Sequence, residues 1–301
     1  MRTDGQAGLY AQLERYIEKH ADEVKTQADA ERLVEAFMAA HHARRDAAAG
    51  LVSRAEAAER RGDRAGAEQK TAEALSAAPG DAGALLLQAK LGAADDDDLC
   101  GRLQAAEASA RAALTERGFF DPAYEGAFWQ TPETRDYIRL RRALLDALVR
   151  CGRLRPAVRE GEALLRLCEE DGPGVRYVLM HVHAMLEEPE PMERLHAAYD
   201  GYEETGMLLP LSVVYYRVGD TARSADCLRR LAAVNPGTQA FIQLLCRGDV
   251  PPETEDVPAR PFTLAELCAD LRAWPVFYRM ARGWALFARK LAESGEKGTG
   301  M

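Results

Sequence analysis

The chain has 301 residues, of which 47% are hydrophobic, and a formal net charge of −9. The apolar fraction is sufficient for a buried core, which excludes wholesale disorder. The acidic balance disfavours nucleic acid as a partner, because a duplex-binding surface needs basic groups that displace counterions.

No part of the sequence approaches the ~18 uninterrupted apolar residues of a membrane-spanning helix. The N-terminus lacks the basic-then-apolar run of a secretion signal. We therefore expect a cytoplasmic protein without a membrane partner.

Residues 1–46 predict an N-terminal helical segment. Apolar residues recur at helical spacing in 8–20 and again in 27–45. Throughout the chain, Ala-rich windows with scattered Leu and Arg favour helix, and Val and Ile rarely alternate with polar residues as they would in strands. The predicted class is all-α.

Three stretches of the chain share one spacing. Each has a glycine, a small residue five positions after it, and a small or apolar residue seven positions after that. In two of the three, a proline follows five positions later. The copies are Gly62, Ala67, Ala74 and Pro79; Gly152, Ala157 and Leu164; and Gly219, Ser224, Leu231 and Pro236. Glycine ends a first helix, small residues on one face let a second helix approach, and proline stops that helix. The spacing predicts helical hairpins.

On these residues the chain resembles the tetratricopeptide repeat (TPR) family, whose unit is a helix–turn–helix pair of about 34 residues. The other matching residues are Leu51 and Ala55 in the first copy, Leu144 and Leu145 in the third, and Leu208, Ser212 and Tyr215 in the fifth. The second copy begins near Ala82 and is stretched by the acidic loop 95–98. The fourth, in residues 174–199, has a turn altered by Pro189 and Pro191.

A narrower resemblance rests on the run FWQTPETRDYIRLRRALLDALVRCGRL (128–154) and on GVRYVL (174–179). These are similar to a bacterial TPR group related to a region of the suppression-of-tumorigenicity-seven proteins. The likeness covers residues 28–245. It implies an interaction role and no enzyme activity.

The resemblance implies an α–α superhelical repeat array, a TPR-like solenoid, over residues 47–247. Residues 248–262 are proline-rich and acidic and predict a linker. Thr263 and Glu266 have the spacing of a capping box. Two helices, 264–274 and 275–291, should follow and cap the open hydrophobic end of the array within 263–301.

The run from Thr131 to Glu133 predicts a helix start, with the Thr131 hydroxyl capping the first amides and Pro132 in the first turn. Two stripes follow on this helix. The apolar stripe, expected in the core, is Tyr137, Leu140, Leu144, Leu148 and Cys151. The charged stripe, roughly opposite, is Arg135, Arg139, Arg142, Asp146 and Arg150.

In TPR arrays the first helix of each hairpin lines the concave surface, so the resemblance implies groove positions by their distance from each turn. They are Val52, Glu56, Glu59 and Arg60 in the first hairpin; Arg142, Asp146, Val149 and Arg150 in the third; Arg176, Met180 and His183 in the fourth; and Leu209, Val213, Tyr216 and Arg217 in the fifth. Such a groove is basic with apolar and aromatic neighbours. It would suit a protein or peptide segment carrying carboxylates, with which guanidinium groups pair well.

A second interpretation competes with this one. Arg142, Asp146 and Arg150 are spaced four residues apart and could pair along the helix as a solvated charged face. The sequence leaves both interpretations open.

The sequence indicates neither catalysis nor metal binding. The six cysteines include no CxxC pair, so we expect buried, reduced thiols and no metal site. His181 and His183 are two apart on a predicted helix and point in different directions, so we expect one to be buried and the other to face the groove. No nucleophile elbow, phosphate loop or dinucleotide fingerprint occurs. We therefore expect no enzyme activity and no cofactor.

The leading functional expectation is a non-enzymatic protein–protein interaction scaffold that binds a peptide or partner surface in the groove. The alternative is a structural or regulatory helical module that forms homo-oligomers through its terminal helices. RNA binding through the arginine stripe conflicts with the net charge.

Overall fold

The computed structural model describes residue 13 and residues 16–249 and 259–298. The chain forms two compact units, Met1–Val175 (unit 1) and Arg176–Met301 (unit 2). In the described part there is no strand. The nearest approach to one is an isolated antiparallel bridge between Ala127 and Cys168. The all-α class is confirmed for these residues.

In its described part, unit 1 contains six helices of eleven residues or more. They are α1 Gln27–Arg60, α2 Arg64–Ala77, α3 Ala82–Gly92, α4 Asp96–Glu116, α5 Pro132–Arg150 and α6 Leu154–Leu167, with 3₁₀ turns at Ala21–Glu23 and Pro122–Tyr124. Consecutive helices pack against each other from α1 to α6. In addition, α3 contacts both α1 and α5, so the first helices of the three predicted hairpins touch in order.

In the described part of unit 2, seven further helices are present. They are α7 Val175–Met185, which begins at the last residue of unit 1, α8 Pro189–Ala198, α9 Thr205–Arg217, α10 Thr221–Val234, α11 Thr238–Arg247, α12 Leu264–Ala273 and α13 Pro275–Gly298. Pro189 and Pro191 do not disrupt this region, because Pro189 opens α8, where its missing amide proton is not needed.

The three predicted turn glycines are confirmed. Gly62, Gly152 and Gly219 have φ values of +76°, +68° and +87°, the left-handed region in which a Cβ is disfavoured. The second helices α2 and α10 end at Ala77 and Val234, two residues before the prolines predicted to stop them. The predicted small contact residues Ala67, Ala74, Ala157 and Ser224 are fully buried.

The N-terminal part of the described chain differs from the prediction. The expected helix at 27–45 and the first helix of the first hairpin are one continuous helix of 34 residues, α1. The predicted boundary between residues 46 and 47 lies inside it, in a run of good helix formers without proline. Thr26 and Asp29 close a capping box at its start. Part of the predicted helix at 8–20 and most of the predicted linker lie outside the described residues.

At the start of α5, the predicted role of Thr131 is wrong. Its hydroxyl donates to the Ala127 carbonyl oxygen at 2.9 Å and caps no amide, and the Thr134 hydroxyl donates to the Phe128 carbonyl oxygen at 2.6 Å. These bonds tie α5 to the aromatic segment before it. The apolar stripe is confirmed in Tyr137, Leu140, Leu144 and Leu148, which are buried, whereas Cys151 is only partly buried.

The two predicted C-terminal helices form and pack inside unit 2. The Thr263 hydroxyl oxygen accepts from the Glu266 amide, as the capping box predicts. Helix α13 packs against α9 and α11, and the Trp284 indole donates to the Ser212 hydroxyl at 2.8 Å. Among the described helices, none is both long and apolar enough to cross a membrane.

Candidate functional site: a charged cavity in unit 1

A cavity of about 620 Å³ opens in unit 1 against the first helices of three successive hairpins. Its lining residues are Glu56, Glu59 and Arg60 of α1; Leu86, Leu87 and Lys90 of α3; Arg139, Arg142, Ala143 and Asp146 of α5; and Trp129 and Pro173 from the segments before α5 and α7. The cavity therefore combines charged side chains of both signs with an apolar and aromatic wall.

Several positions predicted for the groove meet here although they lie in different hairpins. Glu56, Glu59 and Arg60 come from the first hairpin, and Arg142 and Asp146 from the third. Of these, Glu56 and Asp146 lie at the same distance, six residues, before the turn glycines Gly62 and Gly152.

Three other predicted residues lie elsewhere. Val52 is a core residue, only 7% exposed, and Val149 and Arg150 do not line the cavity. The exposed Arg150 pairs with Asp96, its Nε lying 2.9 Å from Oδ1.

Lys90 was missed by the sequence analysis, although a signal was present. It lies two residues before Gly92, just as Arg60 lies two residues before Gly62. Groove positions were not assigned in the second hairpin, because the acidic loop that follows obscured its turn.

Trp129 was also missed, because it precedes its helix and no turn distance applies to it. The indole packs directly on Gly172: a Cβ at that position would lie 2.1 Å from the indole Cδ1. Arg135 holds the segment from the other side, since its Nε donates to the Trp129 carbonyl oxygen at 3.1 Å and its guanidinium lies 5.7 Å from the ring centroid. Arg135 thus positions a wall of the cavity without lining it.

The arginines of α5 form hydrogen bonds and ion pairs with other groups of unit 1. Arg142 donates from Nε to Asp146 Oδ1 at 3.1 Å and from Nη1 to the Pro173 carbonyl oxygen at 2.6 Å. Arg139 pairs with Asp136 at 2.9 Å. The structure therefore contains the pairing along the helix that the second interpretation proposed, at least for Arg142 and Asp146.

Four other charged groups of the cavity are not engaged. The side chains of Glu56, Glu59, Arg60 and Lys90 form no hydrogen bond or ion pair within the described ranges 16–249 and 259–298. Arg60 and Lys90 are exposed. These two cations and two carboxylates are the groups with free capacity to bind a ligand.

In unit 2 most predicted groove residues are in the core, which corrects their assignment to an accessible surface. Met180, Leu209 and Val213 are fully buried, and His183 is 5% exposed. The three apolar residues belong to one core cluster with residues of α13. Tyr216 stacks on Phe287 of α13, with ring centroids 5.1 Å apart. The chain's own C-terminal helix therefore packs against α9, on which this stripe lies.

The two predicted arginines of unit 2 are paired. Arg176 donates to the Tyr177 hydroxyl at 2.6 Å and lies 3.5 Å from Glu204. Arg217 donates from Nε to Glu187 Oε1 at 3.0 Å.

Both His181 and His183 are buried, so the expectation that one would face a groove is wrong. Nδ1 of His183 lies 3.1 Å from Glu188. His181 is held by Tyr177 and Asp270 and stacks on Trp274, with centroids 4.8 Å apart and planes at 4°. Burial lowers the pKa of His181, but the charge and hydrogen bond of Asp270 outweigh it, so the net pKa is raised.

Within the part of the chain that the structure describes, no group of three or more His, Cys, Asp or Glu side chains could hold a metal ion. The chain matches no protein-family model, and no curated protein matches it.

Proposed function

We propose that the protein is a non-enzymatic protein–protein interaction scaffold whose hairpins stack as a TPR-like solenoid and whose unit 1 cavity binds a segment of a partner protein. The packing order supports the stacking, since α1, α3 and α5 touch in sequence and each is the first helix of a hairpin. The binding surface is supported by the meeting of Glu56 and Asp146, each of which lies six residues before the glycine of its own turn.

The observation that carries the proposal is the set of four unengaged charges around one cavity. Arg142 already has a carboxylate and a carbonyl oxygen as partners, so it contributes mainly to the shape of the wall. Arg60 and Lys90 have no such partner among the described residues, so each can donate to a ligand carboxylate without breaking an ion pair seen there.

The lining also restricts the ligand. Trp129 and Leu86 offer apolar surface for one side chain of the bound segment. Glu56 and Glu59 would repel a uniformly acidic segment, because like charges at short range are unfavourable. The segment that fits carries carboxylates beside an apolar residue and a basic residue.

A peptide array that varies acidic, basic and apolar positions tests the proposal with the full-length protein. The double variant Arg60→Glu/Lys90→Glu should weaken the best peptide by roughly tenfold or more, as expected for loss of two charge-assisted contacts. Glu56→Gln/Glu59→Gln should shift the preference towards more acidic peptides.

The matched control is Arg54→Glu/Arg159→Glu. It changes the net charge equally at two exposed positions of unit 1 that do not line the cavity. If the cavity and control variants weaken binding equally, the interaction is a general charge effect and the cavity assignment fails.

A further inference from the structure

Two cysteines far apart in the sequence meet in unit 1. Cys100 lies in the second turn of α4, and Cys151 follows the last residue of α5, 51 positions later. Their sulfur atoms are 3.6 Å apart. Cys100 is fully buried and Cys151 is partly exposed.

Two ion pairs hold the helix ends that carry these thiols. Arg150 pairs with Asp96 at 2.9 Å, and Arg153 pairs with Asp97 at 2.6 Å. The arginines lie on either side of Cys151 in the sequence, and both aspartates are in the first turn of α4. The end of α5 thus contacts the start of α4 through two ion pairs as well as through the two thiols.

The thiols are close enough to be joined. A disulfide has an S–S distance of about 2.05 Å, so the sulfurs must approach by ~1.5 Å, a displacement that side-chain rotation can supply. We propose that Cys100 and Cys151 form a reversible disulfide site that is oxidised by a small-molecule disulfide and joins α4 to α5.

The reaction consists of two exchange steps. The Cys151 thiolate attacks one sulfur of the oxidant, forming a mixed disulfide while the oxidant's S–S bond breaks and one small thiolate leaves. Cys100 then attacks the Cys151 sulfur, forming the Cys100–Cys151 bond and expelling the second small thiolate. The protein loses two protons and two electrons, which the two small thiols carry away.

Exposure sets the order of these steps. Cys151 can be reached by a dissolved oxidant, whereas Cys100 is fully buried and can react only with a sulfur already beside it. Burial raises the pKa of the Cys151 thiol to about 11, and its contacts with Cys100 and Asp97 add to the rise. Since the thiolate is the nucleophile, exchange is slow near neutral pH and is best followed to equilibrium.

The experiment equilibrates the full-length protein in reduced and oxidised glutathione at about pH 8, with acid quenching, intact mass measurement and peptide mapping. The wild type should lose two hydrogens, retain four of its six thiols and give one crosslinked peptide pair containing residues 100 and 151. Its thermal midpoint should rise by roughly 5 °C or more, since the crosslink closes a long loop.

Two single variants test the order of reaction. Cys100→Ser should stop at a glutathione adduct on Cys151, whereas Cys151→Ser should leave Cys100 unmodified. Cys246→Ser, which removes another partly exposed thiol, should crosslink as the wild type does.

Three results would overturn the proposal. They are a wild type that keeps all six thiols at every glutathione ratio, a crosslink that maps to other cysteines, and an adduct on Cys100 when Cys151 is absent. Formation of this crosslink without a rise in thermal midpoint would contradict the stabilisation expected from closing the loop.

Discussion

The ring of His181 lies between two hydrogen-bond acceptors. Nδ1 is 2.8 Å from the Tyr177 carbonyl oxygen, which can only accept, so Nδ1 carries a proton. Nε2 is 3.0 Å from Asp270 Oδ2, and a carboxylate there favours a second proton. The contact therefore favours the charged imidazolium, in agreement with the raised pKa.

A pH dependence of stability follows from this residue. Because the folded pKa lies above the unfolded value of about 6.5, the stabilisation is complete below that pH and is lost as pH rises through the folded pKa. We expect the free energy of unfolding of the wild type to fall over this range and Asp270→Asn to lose most of that dependence. Denaturant unfolding monitored by tryptophan fluorescence between about pH 6 and 9 measures it.

The control for this measurement is Asp226→Asn, which removes a carboxylate of unit 2 that pairs only with exposed or half-exposed arginines. It should retain the wild-type pH dependence. Equal slopes for wild type and Asp270→Asn would show that the pair does not titrate as described.

Only part of the surroundings of His181 could be predicted from the sequence. The spacing of His181 and His183 predicted that one ring would be buried and the other would face a groove, whereas both are buried. Asp270, however, is 89 positions from His181, and its approach depends on how α12 and α13 pack in unit 2. Local pattern carries no information on such a distant pair.

The hairpin turns were the most predictable elements, because a left-handed backbone leaves a direct trace in the choice of residue. Gly62, Gly152 and Gly219 are in that conformation. The bounds of α1 were less predictable, because the repeat pattern marks where a hairpin ends and not how far its first helix extends towards the N-terminus.

The variant Gly152→Ala measures the effect of backbone strain on stability without a contribution from steric crowding. A Cβ at this position would meet no atom within 4 Å, so the expected loss of about 1–2 kcal/mol in unfolding free energy comes from the φ of +68° alone. Gly152→Asn should lose less, since asparagine tolerates this region better. Chemical denaturation measures both variants.

Gly101→Ala is the matched control, and it should raise the free energy of unfolding where Gly152→Ala lowers it. Gly101 is exposed inside α4, and its Cβ would also meet nothing within 4 Å. Alanine should therefore stabilise the helix by roughly 0.5–1 kcal/mol. A neutral Gly152→Ala would mean that the turn relaxes into another backbone conformation.

For the molecule as a whole, the C-terminal helices are the elements that distinguish the scaffold from the self-associating module. Phe277 and Trp284, two aromatic residues of these helices, are fully buried inside unit 2. Trp274 and Phe287 stack on His181 and Tyr216. These side chains are thus used within the unit.

We therefore expect a monomer, an outcome that the net charge of −9 also favours through repulsion between copies. Light scattering over about a hundredfold range of protein concentration, at low and moderate salt, measures the mass. A mass that doubles with concentration would favour the self-associating module, and variants of exposed apolar residues on α13 such as Val276 and Leu286 would then locate the contact.

The candidate site was predictable to different degrees in the two units. In unit 1, three residues that were selected by their distance from a turn line one cavity: Glu56, Arg60 and Asp146. In unit 2 the same rule selected Leu209 and Val213, which are buried. The distance of a residue from its turn describes one hairpin by itself. It carries no information on whether a later helix of the same chain packs on that hairpin.

The contact between Trp129 and Gly172 has an evolutionary consequence. With a Cβ placed 2.1 Å from the indole, no side chain at position 172 is compatible with tryptophan in its present rotamer. In descendants of this sequence, substitutions at the two positions should therefore occur together. A bulkier residue at 172 should accompany a smaller residue at 129. A lineage that changed only position 172 would have to move the indole from its present position and so reshape the wall of the cavity.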